Sequence, residues 1–170
     1  IFNHQYVSRE AVIKHLPLAI QTELQVGDEV IIHHNVFRRW HNMQGKEKNS
    51  RSYIDENTYC VKEDQIYSYN RNNQGWKTLN GYCFVKPIKS NDNFTTKKEE
   101  VLVGIMKYMD PLLKEYNISE GDLVGFTPDS EYEFVINGEK LYRILTTDIS
   151  LKYEYKGNEE EYNPSWTSSS

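Results

Sequence analysis

The sequence predicts an all-β protein of two small tandem barrels with at most one short helix, and three observations carry that reading. The phrase "LQVGDEVII" at 24–32 returns as "ISEGDLVGF" at 118–126: an apolar residue, two spacers, Gly-Asp, then a β-branched or aromatic run. The segments flanking the two copies follow in the same order. Most of the remaining chain consists of short β-branched and aromatic runs separated by turn residues, the pattern of barrels and sandwiches.

Taken in order, "EAVIKHL" (10–16) is an apolar run ahead of Gly27-Asp28, and "EEVLVGIM" (99–106) stands in the same place before Gly121-Asp122. The distance from Val12 to Gly27 is 15 residues and from Val103 to Gly121 it is 18. Each Gly-Asp suits a tight turn that feeds a strand, because Gly reaches positive φ freely and Asp hydrogen-bonds the local backbone. "DEVIIHHNVF" and "DLVGF" then read as strands. Downstream, "TYCVKEDQIYSY" (58–69) matches "LYRILTTDISLKY" (141–153): a strand, an acidic or hydroxyl turn, and a second strand opening at Ile66 or Ile149. Gly27 to Ile66 is 39 residues and Gly121 to Ile149 is 28, a difference that fits in the polar loop "HNMQGKEKNSRS" (41–52). Val30 and Val124, like Ile66 and Ile149, are expected at equivalent core positions.

Between the copies, "NNQGWKTLN" (72–80) reads as the junction, and "YCFVKPI" opens the second half as a strand. "DPLLKEYN" (110–117) predicts the one short helix, with Asp110 as N-cap and Pro111 at the first helical position. Asn137-Gly138 inside "EFVINGEKLYRI" predicts a two-residue type I′ hairpin. The last stretch, "GNEEEYNPSWTSSS", is a polar tail that docks, if it does, through Tyr162 and Trp166. The expected organisation is a first repeat over 1–79, a second over 80–155 and a tail over 156–170.

Composition narrows the function classes. The chain has 170 residues and 38% apolar content, yet 13 Tyr, 6 Phe and 3 Trp supply enough large side chains for a modest core. No apolar run approaches the ~18–20 residues of a membrane helix, so no membrane partner is expected. A net charge of −5 weighs against a general nucleic-acid binder. Two cysteines, Cys60 and Cys83, are too few for a disulfide framework and predict reduced thiols and a cytoplasmic setting. Only 2 Ala stand against 15 Asn and 14 Lys, a bias that follows AT-rich codons and points to a low-GC bacterium or a phage. The chain opens on Ile1, which suggests a piece of something longer.

The densest chemical cluster is "HHNVFRRWH". A cupin-like metal site needs two histidines on one strand face, whereas His33 and His34 are adjacent and should point to opposite faces; no metal is expected. Arg38, Arg39 and Trp40 could stack single-stranded nucleic acid, but nearby acids make a contact with a neighbouring subunit the better reading, in a homo-oligomer. No nucleophile motif, paired base or phosphate loop is present. Neither an enzyme nor a cofactor is expected.

The second copy, read whole, resembles the GroES-type co-chaperonin module. Val85-Lys86-Pro87 matches its first strand, Gly121-Asp122 with Phe126 its central signature, and Asp148-Ile149 its closing strand. The first copy matches more loosely through Gly27-Asp28, Val30 and Gln65-Ile66, and lacks the opening strand. The resemblance implies small β-barrels, a ring, and a GroEL-type chaperonin as partner, engaged by an apolar tripeptide on a mobile loop. The corresponding loop here, "KSNDNFTTKKE", offers only Phe94, so the partner-binding candidates are Phe94 and, as the end of a loop in the first copy, Ile1 and Phe2. The expected function is a co-chaperonin that caps a chaperonin ring. The alternative is a structural or assembly protein, a phage virion component among them, that reuses the barrel for oligomerisation.

Overall fold

The computed structural model describes residues 10–92, 94 and 96–169. The chain divides into two compact units, Ile1–Asn80 and Gly81–Ser170. Both are all-β, and among the described residues every helical turn is of the 3₁₀ type.

The first unit contains β1 (Glu10–Val12), β2 (Glu29–Ile32), β3 (Trp40–His41), β4 (Glu47–Lys48), β5 (Tyr53–Asp55), β6 (Thr58–Tyr59), β7 (Ile66–Asn70) and β8 (Trp76–Thr78). One antiparallel sheet has the order β1-β2-β7-β8, and β3-β4 and β5-β6 form two small hairpins. Leu24, Val30, Ile32, Val36, Ile66, Tyr69 and Leu79 make its core. The run "DEVIIHHNVF" does not continue as one strand. His33 Nδ1 accepts the Asn35 N–H at 3.0 Å and caps a 3₁₀ turn over His34–Val36. The two histidine rings therefore stack, with centroids 4.3 Å apart, instead of pointing to opposite faces.

The second unit contains β9 (Tyr82–Lys89), β10 (Glu99–Tyr108), β11 (Leu123–Phe126), β12 (Tyr132–Ile136), β13 (Glu139–Leu145) and β14 (Ile149–Tyr153). They form one antiparallel sheet of order β12-β13-β9-β10-β11-β14. Cys83, Val85, Met106, Leu113, Val124 and Ile144 lead its core. Asn137 and Gly138 have φ of 51° and 76°, the two positive values that the I′ hairpin needs. The segment Pro111–Tyr116 is helical as its capping residues predict, in 3₁₀ form: Asp110 accepts the Leu112 N–H, Pro111 starts the turn, and Asn117 closes it in the left-handed region.

The doubled phrase folds twice into the same hydrogen-bond pattern. Gly27 N–H donates to Ile13 and Gly121 N–H to Met106, both at 2.8 Å. Ile13 and Met106 in turn donate to Asp28 and Asp122. Val30 pairs with Ala11 and Tyr69, and Val124 pairs with Gly104 and Lys152. The β2–β7 and β11–β14 pairs even carry their bulge at the same place, just before Ile32↔Ile66 and Phe126↔Ile149. A 3₁₀ turn precedes both Ile66 and Ile149. Val30 and Val124 are 3% and 0% exposed, and Ile66 and Ile149 pack on their respective cores.

The register corrects one detail of the sequence alignment. The partner of Val12 is Ile105, not Val103, since each sits next to the strand position opposite the central valine. Measured from Ile105, the distance to Gly121 is 16 residues against 15 from Val12 to Gly27. Upstream, β10 pairs Glu99 with Lys89 and next Gly104 with Pro87, so residues 100–103 arch out of the ladder with β9. Leu102 sits in that arch at a φ of 61°.

The sheets also correct the expected barrels, because neither closes. In the second unit β13 runs into β14 through the turn Thr146–Asp148, although β14 lies at the opposite edge of the strand order. The sheet must therefore curl around its core, but a turn rather than a continuous ladder makes the last corner. The tail over 156–170 belongs to this unit. Lys89 N–H donates to Glu160 and Tyr162 N–H to Pro87, each at 2.8 Å, which pairs the tail with the part of β9 that β13 leaves free.

Candidate functional site

The four signature residues act as paired turn locks. Gly27 and Gly121 hold φ of 94° and 90°. Asp28 Oδ2 accepts the Gln25 N–H at 2.8 Å, and Asp122 Oδ2 accepts the Ser119 N–H at the same distance. Each carboxylate also meets a cation, from just past the end of β7 in the first unit and from β14 in the second. Arg71 grips both oxygens of Asp28 at 2.8 and 2.9 Å, and Lys152 Nζ lies 3.1 Å from Asp122. The Arg71 bonds hold the Asp28 carboxyl below the usual range despite its burial. At Asp122 burial works against the charge, and the Ser119 amide and Lys152 outweigh it, so its carboxyl is also lowered. Both depressed carboxyls contribute stability above the ordinary aspartate pKa of about 4, and that stability is lost as pH falls through their native values. We expect urea midpoints to drop on acidification below about pH 4, and the double variant Asp28→Asn/Asp122→Asn to lose less on that acid limb.

Phe94 sits on the β9–β10 connection, closed at its base by the Ser90 N–H donating to Lys98 at 3.0 Å. Short side chains shape the backbone locally: Asp92 N–H donates to Ser90 Oγ, and Phe94 N–H to Asp92 Oδ1 at 2.9 Å. The Phe94 residue is 99% exposed. Below the loop, Glu99 is clamped to the β12–β13 hairpin. Lys140 Nζ lies 2.9 Å from Glu99 Oε2, and the Tyr142 hydroxyl donates to Oε1. Burial and the facing Glu99 push the Tyr142 phenol up to about 12. The Tyr142 hydroxyl and Lys140 together fix Glu99, the first residue of β10, beneath the loop. An open cleft of about 260 Å³ beside it is floored by Leu102 and Phe126 and rimmed by Lys97, Glu100 and Glu131.

Arg38, Arg39 and Trp40 lead into the β3–β4 hairpin. Arg39 Nη1 is 3.6 Å from Glu47, and Trp40 is 50% exposed. The fold does not bring this hairpin and Phe94 into one unit. Ile1 and Phe2 lie outside the described residues. Among the described residues, no cluster of three or more His, Cys, Asp or Glu side chains is arranged to hold a metal ion. Cys60 is exposed, while burial pushes the Cys83 thiol up to about 12.

Sequence reasoning missed Asn163 and placed Lys86 only in a strand motif, without its burial. Lys86 is 1% exposed on the central strand, and its ammonium donates to the Lys140 carbonyl at 3.2 Å and to Asn163 Oδ1 at 3.0 Å. Asn163 also accepts the Lys140 N–H and donates to Gly138 O and Thr167 Oγ1. The tail docks through this amide and the buried Pro164 and Thr167, while Trp166 stays 37% exposed. One polar Asn in a polar tail gives no periodic signal that could have singled it out.

In comparisons with known proteins, no family model and no curated protein matches the chain.

Proposed function

We propose that this chain is a co-chaperonin-type protein that works as a homo-oligomeric cap on a GroEL-type chaperonin in the cytoplasm. The observation that carries the proposal is the Phe94 loop: an apolar side chain 99% exposed on a short connection whose base is clamped to the sheet. Large apolar side chains held in solvent mark surfaces for partners. A fixed base limits the ordering cost of docking. The GroES-like order of the elements around the Gly121-Asp122 turn supports the same reading, and the first unit supplies a second module of that kind. Trp40, half exposed on the β3–β4 hairpin beside Arg38 and Arg39, suits contacts between subunits.

The test is size-exclusion chromatography of the chain with a GroEL-type chaperonin, with and without ADP. Nucleotide-dependent co-elution that weakens in Phe94→Ser is expected. Separate elution of a folded oligomer under both conditions would overturn the proposal. It would favour the second reading, an assembly protein of a virion or other particle, for which the exposed Trp40 hairpin is the supporting feature.

A further inference from the structure

Charge is not evenly spread along this chain. Residues 37–53 hold five cationic side chains, Arg38, Arg39, Lys46, Lys48 and Arg51, against the single acid Glu47. That is a local charge of +4 in a chain of net −5, so the remainder carries −9. The same segment is where the first unit departs from the repeat. Between Phe126 and Ile149 the second unit has one hairpin, β12–β13, which joins its six-stranded sheet. Between Ile32 and Ile66 the first unit has β3–β4 and β5–β6, each a separate two-stranded sheet. Segments that stand outside the main sheet on a rigid scaffold are the usual place for binding residues.

The β3–β4 hairpin sorts its side chains by face. Trp40 pairs with Lys48 and His41 with Glu47, so strand alternation puts Trp40 and Lys48 on one face and His41 and Glu47 on the other. The Lys46 carbonyl accepts the Asn42 N–H at 3.0 Å, which extends the ladder by a pair and sets Lys46 on the Trp40 face. Arg38 and Arg51 flank the hairpin base, where Ser50 Oγ donates to the carbonyl of the buried Val36 at 2.5 Å. The acids nearby are engaged elsewhere. Glu47 is drawn to Arg39 at 3.6 Å, while Asp55 and Glu56 belong to the β5–β6 hairpin, where Asp55 accepts the Asn57 N–H. Trp40 is 50% exposed. Arg38, Lys46, Lys48 and Arg51 are exposed and, among the described residues, form no ion pair.

An indole open to solvent beside four unmatched cations fits a ligand of flat apolar faces joined by negative charges. We infer that the Trp40 face of the β3–β4 hairpin binds single-stranded nucleic acid: a base stacks on the indole, and Arg38, Lys46, Lys48 and Arg51 meet backbone phosphates. A duplex offers these cations its phosphates but hides its base faces from the indole. The acidic remainder of the chain repels the strand and confines it to this hairpin. The inference goes beyond the capping role and does not rest on it. Base stacking and a subunit contact compete for Trp40, and the oligomer size of Trp40 variants separates them.

The experiment follows the fluorescence anisotropy of a labelled oligothymidylate of roughly ten nucleotides, titrated with the intact chain. Binding is expected, with log K falling against log salt at a slope of about −3, roughly 0.7 per phosphate met. Lys46→Gln/Lys48→Gln should bring that slope to about −1.4. Lys77→Gln/Lys156→Gln, an equal loss of charge on exposed residues elsewhere, should leave it unchanged. Trp40→Leu is expected to weaken binding about tenfold, and Trp40→Phe, which keeps a stacking face, much less. Circular dichroism checks that each variant is folded. No binding by the intact chain would overturn the inference, and so would duplex DNA bound as tightly as the single strand. Heparin bound as tightly as the oligonucleotide, with Trp40→Leu without effect, would overturn it too. A folded Trp40→Leu variant that forms a smaller oligomer than the intact chain would do the same, since the indole would then serve contacts between copies.

Discussion

Gly104→Ala is expected to destabilise the protein by about 3 kcal/mol, the upper end of ordinary overpacking, and to lower Tm by roughly 6–12 °C for a chain of this size. A Cβ built on Gly104 falls 2.3 Å from Val85 Cγ1 and 2.6 Å from the Lys86 carbonyl oxygen. The second contact is with backbone in the central strand, which cannot swing aside. β9 and β10 pair through Gly104↔Pro87 at this point, so relieving the clash means opening that ladder. The duplicated unit supplies a control. Its equivalent residue is Ala11, tolerated because β1 is an edge strand of its sheet. Gly125→Ala is a second control: its Cβ would meet the Tyr153 ring at 2.9 Å, but that side chain is 40% exposed and can move. A thermal shift of less than about 2 °C for Gly104→Ala would contradict the packing of β10 on β9.

The second large effect is expected at Asn163. Its side chain makes four hydrogen bonds, to Lys86 Nζ, Lys140 N, Gly138 O and Thr167 Oγ1. Truncation to Ala removes all four and leaves the buried Lys86 ammonium with the Lys140 carbonyl as its acceptor. Leaving a buried charged donor short of partners costs about 1–3 kcal/mol, so a loss near 3 kcal/mol is expected, with faster proteolysis of the tail. Lys86→Met removes the charge itself, and replacing a buried ion by an apolar side chain of similar size is often neutral. Added to Asn163→Ala, it should therefore restore part of the loss rather than deepen it, a coupling that urea titration of the single and double variants reads directly. A simple sum of the two single effects would show that Lys86 and Asn163 act independently.

Much of this fold was legible because its turns are written in residues with few alternatives. Gly27-Asp28 and Gly121-Asp122 need positive φ followed by a backbone-binding carboxylate, Asn137-Gly138 needs two positive φ values, and Asp110-Pro111 presets a cap. Such local chemistry survives reading without coordinates. The bulge over residues 100–103 does not. "EEVLVGIM" shows no break, yet Leu102 has a left-handed φ between Glu99, held by Lys140 and Tyr142, and Gly104, pressed close to Lys86. Barrel closure was over-read for a similar reason: strand count and turn spacing say that strands are near one another, not whether the last pair forms a ladder. The strand expected through His33 and His34 ends because the chain turns there: Asn35 N–H donates to His33 Nδ1 and Val36 N–H to the His33 carbonyl, and the turn places Val36 in the core.

The candidate site was legible only in part. Phe94 stood out as the one apolar residue in a polar loop, and its exposure agrees with that. Lys86 was noticed as part of a strand motif, while its burial depends on a tail residue far along the chain.

The most direct test of the proposed capping role is the refolding of a client that needs a closed chaperonin chamber, driven by ATP, with this chain as the only co-chaperonin. Recovery of client activity that rises with the concentration of the chain, and falls with Phe94→Ser, is the expected result. Recovery no better than with the chaperonin alone, from a chain that is folded and oligomeric, would contradict the role.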